Sequence, residues 1–141
     1  MSTAFARGPA ASQGHSAPLS PIESLAEALN VERRLLDELG GVVRRQRAAV
    51  ATDDMDAVSD CVFATHRMLV TLREARSHRQ SISALIGLPG GADSASGIDS
   101  LERALGTRMT PALRAARDEL HAAARALARE VAASRGHAAS A

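Results

Sequence analysis

Thr52-Asp53-Asp54-Met55-Asp56 separates two long stretches that share one rhythm, and the fold follows from how those stretches must meet. Before it, Ile22, Leu25, Leu29, Glu32, Leu36, Leu39, Val43, Gln46 and Val50 step by three and four. After it, Val58, Cys61, Thr65, Met68, Leu72, Ala75, Arg79, Ile82 and Ile86 do the same. A 3.5-residue period held through about four heptads on each side belongs to two helices packed along their length at a shallow angle. The short aspartate-rich segment between them leaves room only for a tight reversal. The spacing therefore predicts an all-α fold built on a long antiparallel, coiled-coil-like hairpin, with arms of about 45–50 Å at about 1.5 Å per residue. Asp53, Asp54 and Asp56 are expected in the first turn of the second helix, where carboxylates cap exposed N–H groups and favour the positive end of the dipole.

Helix ends are marked by local chemistry. Ser20-Pro21-Ile22-Glu23 combines a Ser cap, Pro at the first helical position and Glu three residues after the cap, so the first helix is expected over about 21–51. Gly40 and Gly41 are expected to bend or soften it, since each costs about 1 kcal/mol relative to Ala in a helix interior. The second helix, about 54–86, should stop at Gly87-Leu88-Pro89-Gly90-Gly91, with Gly87 in a left-handed cap and Leu88 folding back on Ile82. Residues 87–99 form an expected linker. Asp99-Ser100-Leu101-Glu102 is a second capping box, opening a short helix at about 100–108. Thr110-Pro111 then breaks the chain and starts a kinked third segment, about 111–134. A single helical domain over 20–134 is expected between a flexible tail at 1–19 and a fraying end at 135–141.

Composition narrows the function. All 17 basic residues are Arg, and 16 acids bring the formal net charge to +1. This balance lacks the concentrated positive excess of a nucleic-acid binder. With no Trp or Tyr and two Phe, packing rests on aliphatic side chains and Ala. Cys61 is the single cysteine, which excludes an internal disulfide and fits a reducing compartment. No apolar run approaches the roughly 20 residues of a membrane span, and no secretory signal pattern is seen at the N-terminus. A cytoplasmic location without membrane insertion is the expectation.

Chemistry-bearing constellations are sparse. Of the five His, only His78 stands four residues from an acid, Glu74, and no second such pair faces it, so no metal site is expected. Cys61 lies on the seam as a small hydrophobe. Spacing suggests no nucleophile–base assembly and no phosphate loop, so neither catalysis nor a cofactor is expected. Arg73, Arg76 and Arg79, with Arg44, Arg45 and Arg47, form either a site for an acidic partner or solvated flanks of the seam. Arg79 falls on the seam itself, where a charge must find a partner, snorkel or be covered by another chain. In the C-terminal segment, Leu113, Ala116, Leu120, Ala123, Leu127 and Val131 recur at helical spacing opposite several arginines. This stripe either closes a three-helix bundle or receives an amphipathic helix from a partner.

The central segment resembles the FlgN-type flagellar export chaperones. The resemblance is carried by Glu32-Arg33-Arg34-Leu35-Leu36-Asp37-Glu38-Leu39, by Gln46-Arg47-Ala48-Ala49-Val50 leading to Asp53-Asp54, by Leu69-Val70-Thr71-Leu72-Arg73-Glu74-Ala75-Arg76 with Arg79, and by Leu85-Ile86-Gly87-Leu88-Pro89. It covers about half the chain. Ala133-Ser134-Arg135-Gly136 departs from the Asn-containing segment of the family. What the resemblance implies is a cytoplasmic, non-enzymatic chaperone. It would hold the C-terminal helices of flagellar hook-filament junction (hook-associated) proteins, prevent their premature association and deliver them to the type III export apparatus. It also implies client binding in the C-terminal amphipathic region, and so by Leu113, Ala116, Leu120, Ala123, Leu127 and Val131. The alternative is a coiled-coil adaptor that dimerises through the same stripe and has no export role.

Overall fold

The Ser20 hydroxyl accepts a hydrogen bond from the Glu23 N–H at 3.2 Å, while the Glu23 carboxylate accepts one from the Ser20 N–H at 3.1 Å. With Pro21 at the first helical position, this capping box starts α1, Pro21–Ala51. Acceptance from the Ser20 backbone, and then from its hydroxyl, holds the Glu23 carboxyl below its usual range. The computed structural model describes residues 18–88 and 98–140. Residues 1–17 of the expected tail at 1–19, and most of the expected linker, 89–97, lie outside the described residues. α1 is not interrupted at Gly40-Gly41, contrary to the expectation of a soft spot. Packing on both sides of α1 outweighs the low helix propensity of two residues.

The reversal is tighter than the sequence suggested. Asp53 adopts φ 56° and closes α1 in a left-handed cap. Its N–H donates to the Val50 carbonyl at 3.1 Å, and the Asp54 N–H donates to the Ala49 carbonyl at 2.9 Å, the paired bonds of a Schellman motif. Asp54 is the N-cap of α2, Met55–Ile86, its carboxylate accepting from the Ala57 N–H at 3.1 Å. Asp53 thus ends the first helix, whereas Asp56 lies in the first turn of the second as expected. A second Schellman motif ends α2 at Gly87, φ 82°, with the Leu88 N–H on the Ser83 carbonyl at 3.0 Å. Leu88 packs on the core that contains Ile82, the apolar contact such caps favour.

α3, Ile98–Leu105, runs into a 3-10 turn at Gly106–Arg108. Met109 is extended, and the Thr110 hydroxyl accepts from the Leu113 N–H at 3.1 Å to start α4, Pro111–Ser140. The predicted break at 109–111 is therefore present. α4 does not fray at Ser134 but continues through Gly136 to Ser140. Near that end the Arg47 guanidinium donates to the Glu130 carbonyl and to the Ser134 hydroxyl, each at 3.2 Å.

α1 is the shared element. Both α2 and α4 pack along it, and α2 and α4 scarcely touch each other. Contacts climb α1 and α4 together, Arg33 with Glu119 and then Arg47 with Glu130, so these two helices run parallel and α2 runs against them. The core is densest at the base, where Leu25, Leu29, Leu101 and Leu113 are fully buried. Each such side chain contributes about 1.5–3 kcal/mol relative to exposure.

Candidate protein-binding surface

The C-terminal stripe is not open in this fold. Leu113, Ala116, Leu120 and Ala123 are buried in the common core, and Leu127 packs against it, with Val131 half-buried. Of the two readings of the stripe, the closed three-helix bundle is the one this fold shows, with the stripe packed inward and not open to a partner. Its small side chains let α4 lie close on α1, so the chain's own helix occupies the place. Leu120→Asp would put a carboxylate into the core and disturb folding along with any binding.

The seam charges resolve as a pair. Arg79 Nε donates to Glu32 Oε1 at 2.9 Å, with Arg79 7% and Glu32 2% exposed. Both stand at seam positions, where Arg79 is the charge that had to find a partner. Equal steps outward from the reversal set Glu32 against Ala75 and not Arg79, so the sequence showed that each seam charge needed a partner but not which one. Cys61 is buried on the seam. Among the described residues no group of three His, Cys, Asp or Glu stands close enough to hold a metal ion. Among the described residues no helix is long and apolar enough to cross a membrane.

At the base, α3 and the 3-10 turn after it bridge α2 and α4, which otherwise scarcely touch. Glu102 pairs with Arg114 at 2.7 Å and with Arg117 at 3.3 Å on α4, while Arg108 donates to the Ile86 carbonyl at the end of α2 at 3.3 Å. Bonds from Arg114, then Arg117, hold the Glu102 carboxyl below its usual range. Leu101 and Leu105 point into the core. His121, one turn beyond Arg117, is buried, and its basicity is lowered chiefly by that burial and then by Arg117 and Arg125.

Beyond α3, α2 is left uncovered on one side. Ala26, Arg33, Gly40 and Arg47 come four residues after a first seam position on α1, and α4 lies along that side, touching Arg33, Gly40 and Arg47. In an antiparallel pair the equivalent residues of the partner helix flank the same side. On α2 these are Val62, Leu69, Arg76 and Ser83. Ser83 is buried near α3, but Val62, Leu69 and Arg76 are exposed, as is Phe63 at 65%. Two shallow hollows sharing Leu69 follow this face. One, of about 530 Å3, is lined by Gln46, Val62, Phe63, Thr65, His66 and Leu69. The other, of about 510 Å3, is lined by Leu69, Leu72, Arg73, Arg76, Ser77 and Gln80. No carboxylate lines either hollow among the described residues. The Thr65 hydroxyl in the first is buried and has no hydrogen-bond partner among the described residues.

Arg73 and Arg76, read from sequence as flanking the seam, therefore belong to this face, whereas Arg79 is in the core and Arg44 and Arg47 meet Glu130 on α4. Sequence reading passed over Val62, Phe63, Leu69 and Val70 because none is a seam position. Their signal was that α2 carries large apolar residues off its seam, in neighbouring pairs seven apart. Compared with known protein families, with curated proteins and with solved structures, the chain matches none of them.

Proposed function

We propose that this chain is an export chaperone of the FlgN type. In this reading it holds the C-terminal helical segments of flagellar hook-filament junction proteins in the cytoplasm, keeps them from associating early and passes them to the type III export machinery. The observation that carries the reading is the row of large apolar side chains exposed along α2 in a bundle whose other long helices are packed. A shallow face of this kind suits an amphipathic helix better than a small substrate, which needs a concave site that encloses it. The sequence resemblance of residues 32–89 supplies the identity of the client.

The test is co-purification of the full chain with the C-terminal segment of a junction protein, followed by light scattering. A defined complex is expected, and two components that elute separately would end this proposal. The same exposed row could serve a coiled-coil adaptor that pairs with itself. A dimer whose mass does not change with concentration, and which takes up no junction segment, would favour that alternative.

A further inference from the structure

We infer that the open corner along α2 beyond α3, lined by α2 side chains and by Gln46 of α1, seats a partner helix that is apolar at one end and acidic at the other, and completes a fourth helical position. The inference rests on the chaperone reading for the name of the partner, but not for its chemistry.

The chain itself shows what this corner accepts. α3 fills its base with Leu101 and Leu105, four residues apart, turned into the core, and with Glu102 set on Arg114 and Arg117. After about two turns α3 ends, and the corner continues along α2 with the same two needs unmet. Val62, Phe63 and Leu69 offer apolar contact, while Arg73 and Arg76 make no ion pair among the described residues. From Val62 to Gln80 the face is about 27 Å long, which a helix of roughly 18–20 residues matches. Phe63 and Arg73 are ten residues apart on α2. The occupant's apolar anchors and its carboxylates should therefore be separated by about 15 Å, nearly three turns.

Charge selects among occupants. Residues 1–17 contain no Asp or Glu, so that segment brings nothing for Arg73 and Arg76. A second copy presenting the same face would set these arginines against each other or against Val62 and Phe63, and neither arrangement supplies a carboxylate. An acidic amphipathic helix from another protein satisfies both ends, and its carboxylates would gain most from the planar guanidinium forks.

The experiment uses the full chain and a fluorescein-labelled synthetic peptide of about 20 residues, with Leu at helical spacing in one half and Glu in the other. Fluorescence anisotropy should show saturable binding that weakens as salt is raised. Leu69→Asp and the pair Arg73→Glu, Arg76→Glu should each weaken it at least about tenfold, a difference of about 1.4 kcal/mol. Both alter exposed positions, and circular dichroism should show unchanged helicity and melting. A peptide with Lys in place of Glu should bind the Glu-bearing variant better than the wild type. Absence of peptide binding, or variants that bind like the wild type, overturns the inference. So does a wild-type dimer that Leu69→Asp converts to a monomer, since the face would then belong to a second copy. If junction proteins bind and the groove variants do not weaken that complex, the chaperone reading stands and this inference fails. If the peptide binds in the groove while junction proteins do not bind at all, the reverse holds.

Discussion

The buried Glu32–Arg79 pair gives the sharpest test of the hairpin. Glu32→Leu removes the carboxylate and keeps an apolar side chain of similar bulk, leaving the Arg79 guanidinium in the seam without it. Removing one partner of a buried pair typically costs about 3–5 kcal/mol, because the remaining charge has been taken from water without full compensation. A domain of this size has about 5–15 kcal/mol in total. With a urea slope of about 1.5 kcal/mol per M, the midpoint should fall by about 2–3 M. Arg79→Met should cost a similar amount. The double variant Glu32→Leu, Arg79→Met fills the layer with apolar atoms and should return to within about 1–2 kcal/mol of the wild type, or exceed it. Equilibrium urea unfolding followed by circular dichroism supplies the four stabilities of the cycle. A Glu32→Leu cost below about 1 kcal/mol, or a double variant that loses the sum of both singles, would refute this account. The pair also bears on register. Sliding α2 by one heptad would set both charges against leucine or isoleucine, a penalty that an all-apolar seam would not impose.

Three further outcomes are expected. Gly40→Ala and Gly41→Ala should each raise stability by about 1 kcal/mol in thermal melts, since the added Cβ would meet only flexible arginine ends, 3.7 Å and 3.4 Å away respectively. Asp53→Gly should stabilise by up to about 1 kcal/mol by relieving a left-handed residue, whereas Asp54→Ala should lose about 1 kcal/mol with the N-cap. His121 takes up a proton less readily when folded, owing first to burial and then to Arg117 and Arg125, with Asp118 opposing. The unfolded chain thus binds more protons just below the ordinary value of 6.5, so stability should fall on acidification from about pH 7.5 to 5.5. His121→Leu should flatten that dependence in urea titrations.

Much of the architecture was legible because each element carries its own local signal. The Ser20 box, the Gly87 cap and the Thr110-Pro111 break all depend on neighbours within a few residues, and the structure contains each of them; the seam holds except near the tip of α1, where Val42 and Ala49 are buried in place of Val43 and Val50, the latter 52% exposed. What could not be read was where α4 goes. Leu113, Ala116, Leu120 and Ala123 form a stripe equally suited to a helix of the same chain or of another, and spacing does not distinguish the two. The candidate surface was missed for a related reason. Once the heptads of α2 had been assigned, Val62 and Leu69 fell beside the seam, and only the lateral placement of α4 on α1 shows that no neighbour covers them. The left-handed residue was also displaced by one element, because Asp in place of Gly conceals a Schellman ending in the sequence.

α3 acts as a cross-brace at one end of a frame that has none at the other. Any spreading of α2 from α4 would grow with distance from that brace, toward Thr52 and Ser134. There α4 is held on α1 by Arg44 and Arg47 on Glu130, contacts partly open to solvent, and by half-buried Leu127 and Val131. If a helix seats along α2 as proposed above, it would lie beyond the layer of Leu25, Leu29, Leu101 and Leu113, and its arrival and departure would not require that layer to open.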